Sequence, residues 1–397
     1  MSERPSSEDA RPGPRARTRL RLALLAAFRF PAPQGSQRFA DEQAHALTAA
    51  GAEVTLFCYG RGDGRDTGAL QLVRSAAWLS PTRPSARLDL RKLPSDASLM
   101  RALVRAHRER RFDAVLAHNA EAALLALALR PWLRVPVVYV AHTLWSAELS
   151  AHLAGRATRL ARSLGTRLDR RLARSADATL TLSHAAEAAL RPHARAPLLR
   201  VPPGWTREGA PAEAEVADSC RRHALAPHDY AIYSGNLDAY QDLPELDAAA
   251  ALVAPRTIVV ATHDSRPARF AHLRVLRVAS PAEARLLVYG ARCAVVPRRH
   301  LGGFPIKLLQ YLEAGRAVVA RAPLADTLVH AESGWLLDER ADAAQLGDAI
   351  ARVYDDPVLA ARLAAGGQLA LRKAHAWPAL AIDTLALTRE AIARSRR

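Results

Sequence analysis

Lysine is almost missing from this chain: only Lys92, Lys307 and Lys373 stand among its 56 basic residues. Arginine and alanine dominate instead, the imprint of a GC-rich genome, so the formal charge of +17 argues only modestly for an anionic partner. Cysteine is as scarce. Cys58, Cys220 and Cys293 lie far apart and are odd in number, which excludes a disulfide scaffold, offers no zinc spacing and fits a reducing compartment. Aromatic residues make up 5% of the chain and rarely interleave with the arginines, so specific nucleic-acid binding has no support. The apolar run at 20–28 is broken by Arg21 and falls far short of the roughly 20 residues a bilayer needs. Residues 15–28 have the basic-then-apolar profile of a signal peptide, yet Arg29-Phe30-Pro31 lacks the small residues of a cleavage site. A Gly-x-Gly-x-x-Gly loop, a Walker loop and a serine-hydrolase elbow are also absent, which leaves hydride and phosphoryl transfer without a local motif. No His/Asp pair has metal-ligand spacing, and no metal is expected.

Half of the 397 residues are hydrophobic and a quarter are charged, enough for two domains with cores of their own. Residues 1–18 are Ser, Pro, Arg and acidic residues and are expected to form a disordered tail. Beyond them, short β-type runs at 20–28, 54–59, 114–118, 137–141, 178–183 and 198–201 alternate with helical stretches at 37–50, 97–110, 121–129 and 163–174. The alternation pauses at Val201-Pro202-Pro203-Gly204 and the stretch 208–215, then resumes with runs at 230–234, 257–261, 275–278, 293–297, 317–320 and 334–337. The expected architecture is α/β: a doubly wound domain at 19–204, a second at 205–375, and a helix at 376–397 that returns to the first. Ligands of such sheets bind at the carboxyl ends of the strands, here along the cleft between the domains.

The most informative segment is 300–320. It reads strand, glycine loop, helix, glycine stop, strand. Gly302 and Gly303 allow close backbone approach to a ligand, and Pro305 suits a first helical turn. Amides at that helix start favour a diphosphate. Lys307 is placed to reach the same anion, with Gln310 one turn on. The plainer alternative is an ordinary loop-helix unit that Gly315 merely caps.

Gly303-Phe304-Pro305-x-Lys307 through Gly315-Arg316-Ala317-Val318-Val319 resembles the donor-site motif of glycosyltransferase family 4, whose fold is GT-B: two facing Rossmann-like domains. Gln34-Gly35 resembles the family's first glycine loop, where Gly35 would face the donor phosphates and reacting sugar. His118-Asn119-x-Glu121 resembles an acceptor-side loop, and Tyr139-Val140-Ala141-His142 a strand-end histidine motif. Ser234-Gly235-Asn236 through Gln241 resembles the loop that opens the second domain. The resemblance implies a retaining, metal-independent transfer of a sugar from a nucleotide-sugar donor to a hydroxyl of a glycan, lipid-linked or small-molecule acceptor, as in polysaccharide biosynthesis. It assigns His142, Lys307 and Gln310 to the reaction, and Gly35, Ser234, Gly235, Asn236, Gln241, Gly302, Gly303 and Phe304 to the donor. Gln34, His118, Asn119 and Glu121 fall on the acceptor side. The chain also departs from the family. Asn236 and Gln241 replace the usual Arg and Lys, and the two signature glutamates fall on Gly302 and Gln310. Lys307, the loop amides and Arg298 or Arg299 would then carry the diphosphate charge.

Between 155 and 174, Leu160, Leu164, Leu168 and Leu172 recur every four residues beside seven arginines, with Gly165 an expected weak point. One reading packs the leucines on the sheet. The other docks 156–174 on an anionic membrane, with the protein cytoplasmic and peripheral on the inner face of the plasma membrane. Glu148 serves equally as a helix cap or a cleft group. Two further alternatives stay open: an inactive GT-B module that assists a partner, and a basic polyanion-binding α/β protein.

Overall fold

A computed structural model describes residues 19–32, 35–62, 68, 70–80, 92–149, 155–265, 270–299, 303–322 and 326–397. The tail 1–18, Gln34 and Gly302 lie outside the described residues. The first domain runs β1 (Arg21–Arg29), α1 (Gly35–Ala49), β2 (Glu53–Tyr59), β3 (Gln71–Arg74), α2 (Leu93–Glu109), β4 (Ala114–His118), α3 (Asn119–Ala128), α4 (Arg130–Leu133) and β5 (Val137–Ala141). It continues with α5 (Trp145–Glu148), α6 (Gly155–Ser175), β6 (Ala178–Thr181), α7 (His184–Leu190) and β7 (Leu198–Arg200). The second domain runs α8 (Glu213–Arg222), β8 (Ala231–Ser234), α9 (Leu243–Leu252), β9 (Ile258–Thr262), β10 (Arg274–Arg277), α10 (Pro281–Gly290) and β11 (Cys293–Val296). Then follow α11 (Lys307–Glu313), β12 (Ala317–Arg321), β13 (Trp335–Leu337), α12 (Ala343–Asp355), α13 (Pro357–Ala374) and α14 (Trp377–Ser395).

Each domain has one sheet of parallel strands, in the orders β3-β2-β1-β4-β5-β6-β7 and β10-β9-β8-β11-β12-β13. Central strands such as β5, Val-Val-Tyr-Val-Ala, are buried at every residue, because helices cover both faces of a parallel sheet. In both sheets the order reverses beside the first strand of the domain, and that switch point opens the crevice in which ligands of doubly wound folds bind. Trp205 N donates to His375 O (2.8 Å) where the chain passes between domains. Beyond it α14 packs on α1, Trp377 Nε1 donating to Glu42 Oε2 at 2.8 Å. Phe39, Trp205, Phe304 and Trp377 belong to one buried apolar cluster that both domains share.

One strand has no counterpart among the runs read in the sequence, and two local expectations need correction. β3 carries no strong sequence signal, since only Leu72 and Val73 are apolar and this edge strand is partly exposed. Helix α11 begins at Lys307, so Pro305 precedes it; Leu308 N bonds Pro305 O (2.8 Å) in the lead-in turn. Gly165 is no weak point. Helix α6 runs unbroken through it, and a Cβ there would come 2.5 Å from Ser146 N, so the glycine lets α6 lie close against α5.

Candidate active site

The second domain's glycine turn meets the first domain at the end of β5. Gly303 has φ +109°, a conformation natural only to glycine, and a Cβ there would lie 2.7 Å from the His142 carbonyl and 2.8 Å from Thr143 Oγ1. Nearby, Gly35 at the start of α1 faces Ile306, with an added Cβ 3.2 Å from Ile306 Cγ1. Arg298 is buried and donates from Nη2 to the Gly303 carbonyl, while Phe304 packs 5.4 Å from the His375 ring. Among the described residues no side chain caps the start of α11. Gly35, His142, Gly303 and Lys307 are thus brought to one place from distant stretches of chain.

Lys307 is the hub of the second-domain side. Its Nζ donates to Tyr233 Oη (2.7 Å) and Gln241 Oε1 (3.0 Å), and lies 3.9 Å from the centre of the Tyr233 ring. Tyr233 Oη donates to Asn236 O (2.8 Å), and Gln241 Nε2 donates to Asn236 Oδ1 (2.9 Å). Asn236 Nδ2 in turn donates to Asp238 Oδ2 (2.7 Å) and Tyr240 Oη (3.2 Å). Gln241 therefore binds the Lys307 amine directly, and Asn236 braces it through Gln241 and Tyr233. Burial, aided by the Arg298 guanidinium and opposed by Asp238, holds the Lys307 amine well below its usual range. Ser234, at the end of β8, is fixed by its amide donating to Tyr311 Oη at 2.7 Å. Gln310 makes no side-chain hydrogen bond among the described residues. Arg299 is committed elsewhere: its guanidinium binds Glu245 and the Ala341 carbonyl, and its amide donates to Asp242 Oδ2 at 2.6 Å.

On the first-domain side, His118 Nδ1 and His142 Nε2 are 2.9 Å apart, and Phe39 from α1 stands edge-on to His142 at 4.9 Å. Burial without a carboxylate partner keeps both imidazoles neutral, His118 lowered to about 3 and His142 well below the usual range. Asn119 follows at φ +73°, which turns the chain from β4 into α3. Glu121 is paired with the buried Lys92, whose Nζ reaches its two oxygens at 3.1 and 3.2 Å. The nearby Glu148 carboxyl is pushed up to about 7 by burial and by Glu121, with Lys92 pulling it back. Phe39, Lys92 and Tyr233 carry no motif. Only the rarity of lysine singles out Lys92. Among the described residues no three His, Cys, Asp or Glu side chains stand close enough to hold a metal ion, and no helix is long and apolar enough to cross a membrane.

The family description Glycosyltransferase Family 4 matches residues 33–205, and Glycosyl transferases group 1 matches residues 229–356. No curated protein matches the chain. Among solved structures, sucrose-phosphate synthase from Thermosynechococcus elongatus superposes with a TM-score of 0.76 at 18% identity, covering 95% of this chain and 100% of the other. Anabaena Alr3699/HepE, in complex with UDP and glucose, gives 0.69 at 14% identity over 92% of this chain and 98% of its own. WaaG, a glycosyltransferase involved in lipopolysaccharide biosynthesis, gives 0.64 at 17% identity over 91% and 99%. One family description falls on each domain, and the superpositions span both sheets. The chain belongs to the group 1 glycosyltransferases, of the family 4 type with the GT-B fold.

Proposed function

We propose that this glycosyltransferase moves a sugar, with retention of configuration and without a metal ion, from a nucleotide sugar to a hydroxyl of a glycan or lipid-linked acceptor. The observation that carries the reading is the approach of the Gly303 turn to the His142 carbonyl with Lys307 just beyond it. This sets Lys307 and the backbone of the Gly303 turn of one domain opposite the strand ends of the other. Alr3699/HepE, of the same fold, is solved with UDP and with UDP-glucose, which supports a nucleotide sugar in this cleft.

In the proposed step the bond between the sugar's anomeric carbon and the phosphate oxygen breaks, and its electron pair leaves with the nucleoside diphosphate. The acceptor oxygen bonds the anomeric carbon on the same face, and its proton goes to the departing phosphate oxygen. Lys307 and the amides of Gly303 and Phe304 stabilise the charge that develops there. Gly35, Ser234 and Gly235 let the donor approach the backbone, and Asn236 and Gln241 orient Lys307 rather than bind phosphate themselves. Gln310, whose side chain makes no hydrogen bond among the described residues, would serve a ribose or sugar hydroxyl. His142 lies on the transferred sugar, while Asn119 and Glu121, at the start of α3, face the acceptor; His118, expected on that side, is fully buried against His142 and does not itself reach the acceptor. Contact between the domains excludes water that would hydrolyse the donor.

A lipid-linked acceptor gives α6 a role. Leu172 is buried in the core, whereas Leu160 and Leu164 are 64% and 50% exposed beside the exposed Arg159, Arg162 and Arg167. This face suits peripheral docking on the anionic inner face of the plasma membrane.

A screen of UDP-, GDP- and TDP-sugars by thermal shift, followed by NMR of the product's anomeric proton in EDTA, tests the reading. Stabilisation by one nucleotide class and a retained anomer are expected. No shift with any of them, inversion, or loss of turnover in EDTA would contradict it.

A further inference from the structure

A cavity of about 390 Å³, the size of a small-molecule site, opens where the chain crosses between the domains. It lies apart from the donor residues. Glu313, in its lining, ends α11, about 9 Å along the helix from Lys307 at the start. Its walls come from both domains. Leu371 and Arg372 lie on α13 of the second, whereas Trp377 opens α14 and is tied to α1 of the first through Glu42. Trp205, from the connector, completes an apolar and largely aromatic lining with Leu371 and Trp377. Arg207 and Arg372, also in the lining, are exposed, and neither has a hydrogen-bond or ion-pair partner among the described residues. Against these two cations stands one carboxylate, Glu313, whose Oε1 accepts the Glu208 amide at 2.8 Å. His375 adds no charge, because its Nδ1 donates to Pro203 O at 2.5 Å and burial lowers the imidazole to about 4. Three lining residues also keep a buried polar atom without a partner among the described residues: Trp205 Nε1, Glu313 Oε2 and His375 Nε2. Ordinary packing pairs nearly all such atoms, and three beside one cavity mark it as more than a packing gap.

We infer that this cavity is a second ligand site, an effector site for a small anion with an apolar, ring-bearing body. The rings lie against Trp205 and Trp377, and the acidic group meets Arg207 and Arg372. Because the walls belong to both domains, the cavity changes shape when the domains turn about the connector, and its occupant favours one angle between them. The His375 ring also stands 5.4 Å from Phe304, which follows the Gly303 turn at the His142 carbonyl. A shift of this wall therefore reaches the candidate active site. Only that effect rests on the donor site proposed above; the cavity itself does not.

Fluorescence titration of the full-length protein with two probes tests the site: anilinonaphthalene sulfonate, and phenylnaphthylamine, the same rings without the sulfonate. One sulfonate is expected per chain, bound more tightly than the neutral probe. Arg207→Gln and Arg372→Gln together should weaken the sulfonate about tenfold, the weight of two exposed charge pairs, and leave the neutral probe unchanged. Ala376→Phe, which places a ring in the cavity from the start of α14, should remove both probes. The arginine variant carries the test if Ala376→Phe does not fold, since both of its side chains are exposed. Saturating sulfonate should change the affinity for the nucleotide sugar that gives the largest thermal shift, by about fivefold or more. The arginine variant should bind that sugar normally and respond to the sulfonate only at higher concentration. Equal affinity for the two probes, or sulfonate binding that ignores both sets of substitutions, would overturn the site. Bound sulfonate that leaves nucleotide-sugar affinity unchanged would overturn its effector role. The expected probe binding by a chain that no nucleotide sugar stabilises would instead remove the donor reading, with the cavity upheld as a separate site.

Discussion

Lys307 lies so close against Gly235 that a Cβ at that glycine would come within 2.7 Å of the ammonium nitrogen. The same Cβ would stand 2.9 Å from Tyr233 Oη, the atom to which Lys307 donates. Gly235→Ala therefore displaces the cation and its anchor together. Because a hydrogen bond to a charged group contributes about 1.5–3 kcal/mol, donor affinity is expected to fall roughly tenfold or more. Calorimetric titration of the nucleotide sugar that gives the largest thermal shift reads this directly.

The lowered Lys307 amine also gives a pH dependence. Burial first, then Arg298, disfavours the ammonium, with Asp238 opposing them, so the positive charge is lost at a lower pH than in an ordinary lysine. A diphosphate binds the charged form. Donor affinity should therefore fall as pH rises through that lowered value, and binding above it should take up a proton. Titrations in two buffers of different ionisation enthalpy measure the uptake, which is expected to vanish in Lys307→Met.

Gly303→Ala meets two obstacles. A φ of +109° is foreign to alanine, a strain of about 1–3 kcal/mol, and the new methyl would press on the His142 carbonyl and Thr143 Oγ1. Lower stability in urea, a larger radius in small-angle scattering and loss of turnover are expected together, because this turn joins the two domains.

Much of the fold is legible where the chain is most apolar. The runs 114–118 and 137–141 coincide with β4 and β5, which are buried throughout and rich in valine. By contrast, β3 pairs only with β2 at the sheet edge, and its two apolar residues, Leu72 and Val73, are only partly buried. The glycine turn, Lys307 and His142 each stand out in sequence. Their meeting depends on how two sheets face one another, and no local pattern encodes that. The partners were least legible. Tyr233 reaches Lys307 across 74 residues and Lys92 reaches Glu121 across 29, through the register of strands and helices rather than through spacing. Asn236 and Gln241 read as lost cations in the sequence, and only the hydrogen bonds show that Gln241 binds Lys307 and Asn236 braces Gln241.

Helix α6 divides along its length. Leu168 and Leu172 pack against the first domain's core, while Leu160 and Leu164 face outward among arginines. Co-sedimentation with vesicles containing anionic lipid is expected at low salt and lost at high salt, each cation near the surface contributing about 1 kcal/mol. Replacing Leu160 and Leu164 by serine, or Arg159, Arg162 and Arg167 by glutamine, should release the protein without altering its melting temperature. Binding indifferent to both changes and to lipid charge would remove the membrane role.

Everything proposed for the cleft depends on Lys307 and the turn before it holding a diphosphate, and calorimetry on the wild type and Lys307→Met with UDP-glucose, GDP-mannose and TDP-glucose tests this most directly. The wild type should bind one of the three, and the folded variant should bind it at least tenfold more weakly, the loss expected when a charged hydrogen bond is removed. Equal affinity in both proteins, or no binding of any of the three by the wild type, would contradict the placement of the donor.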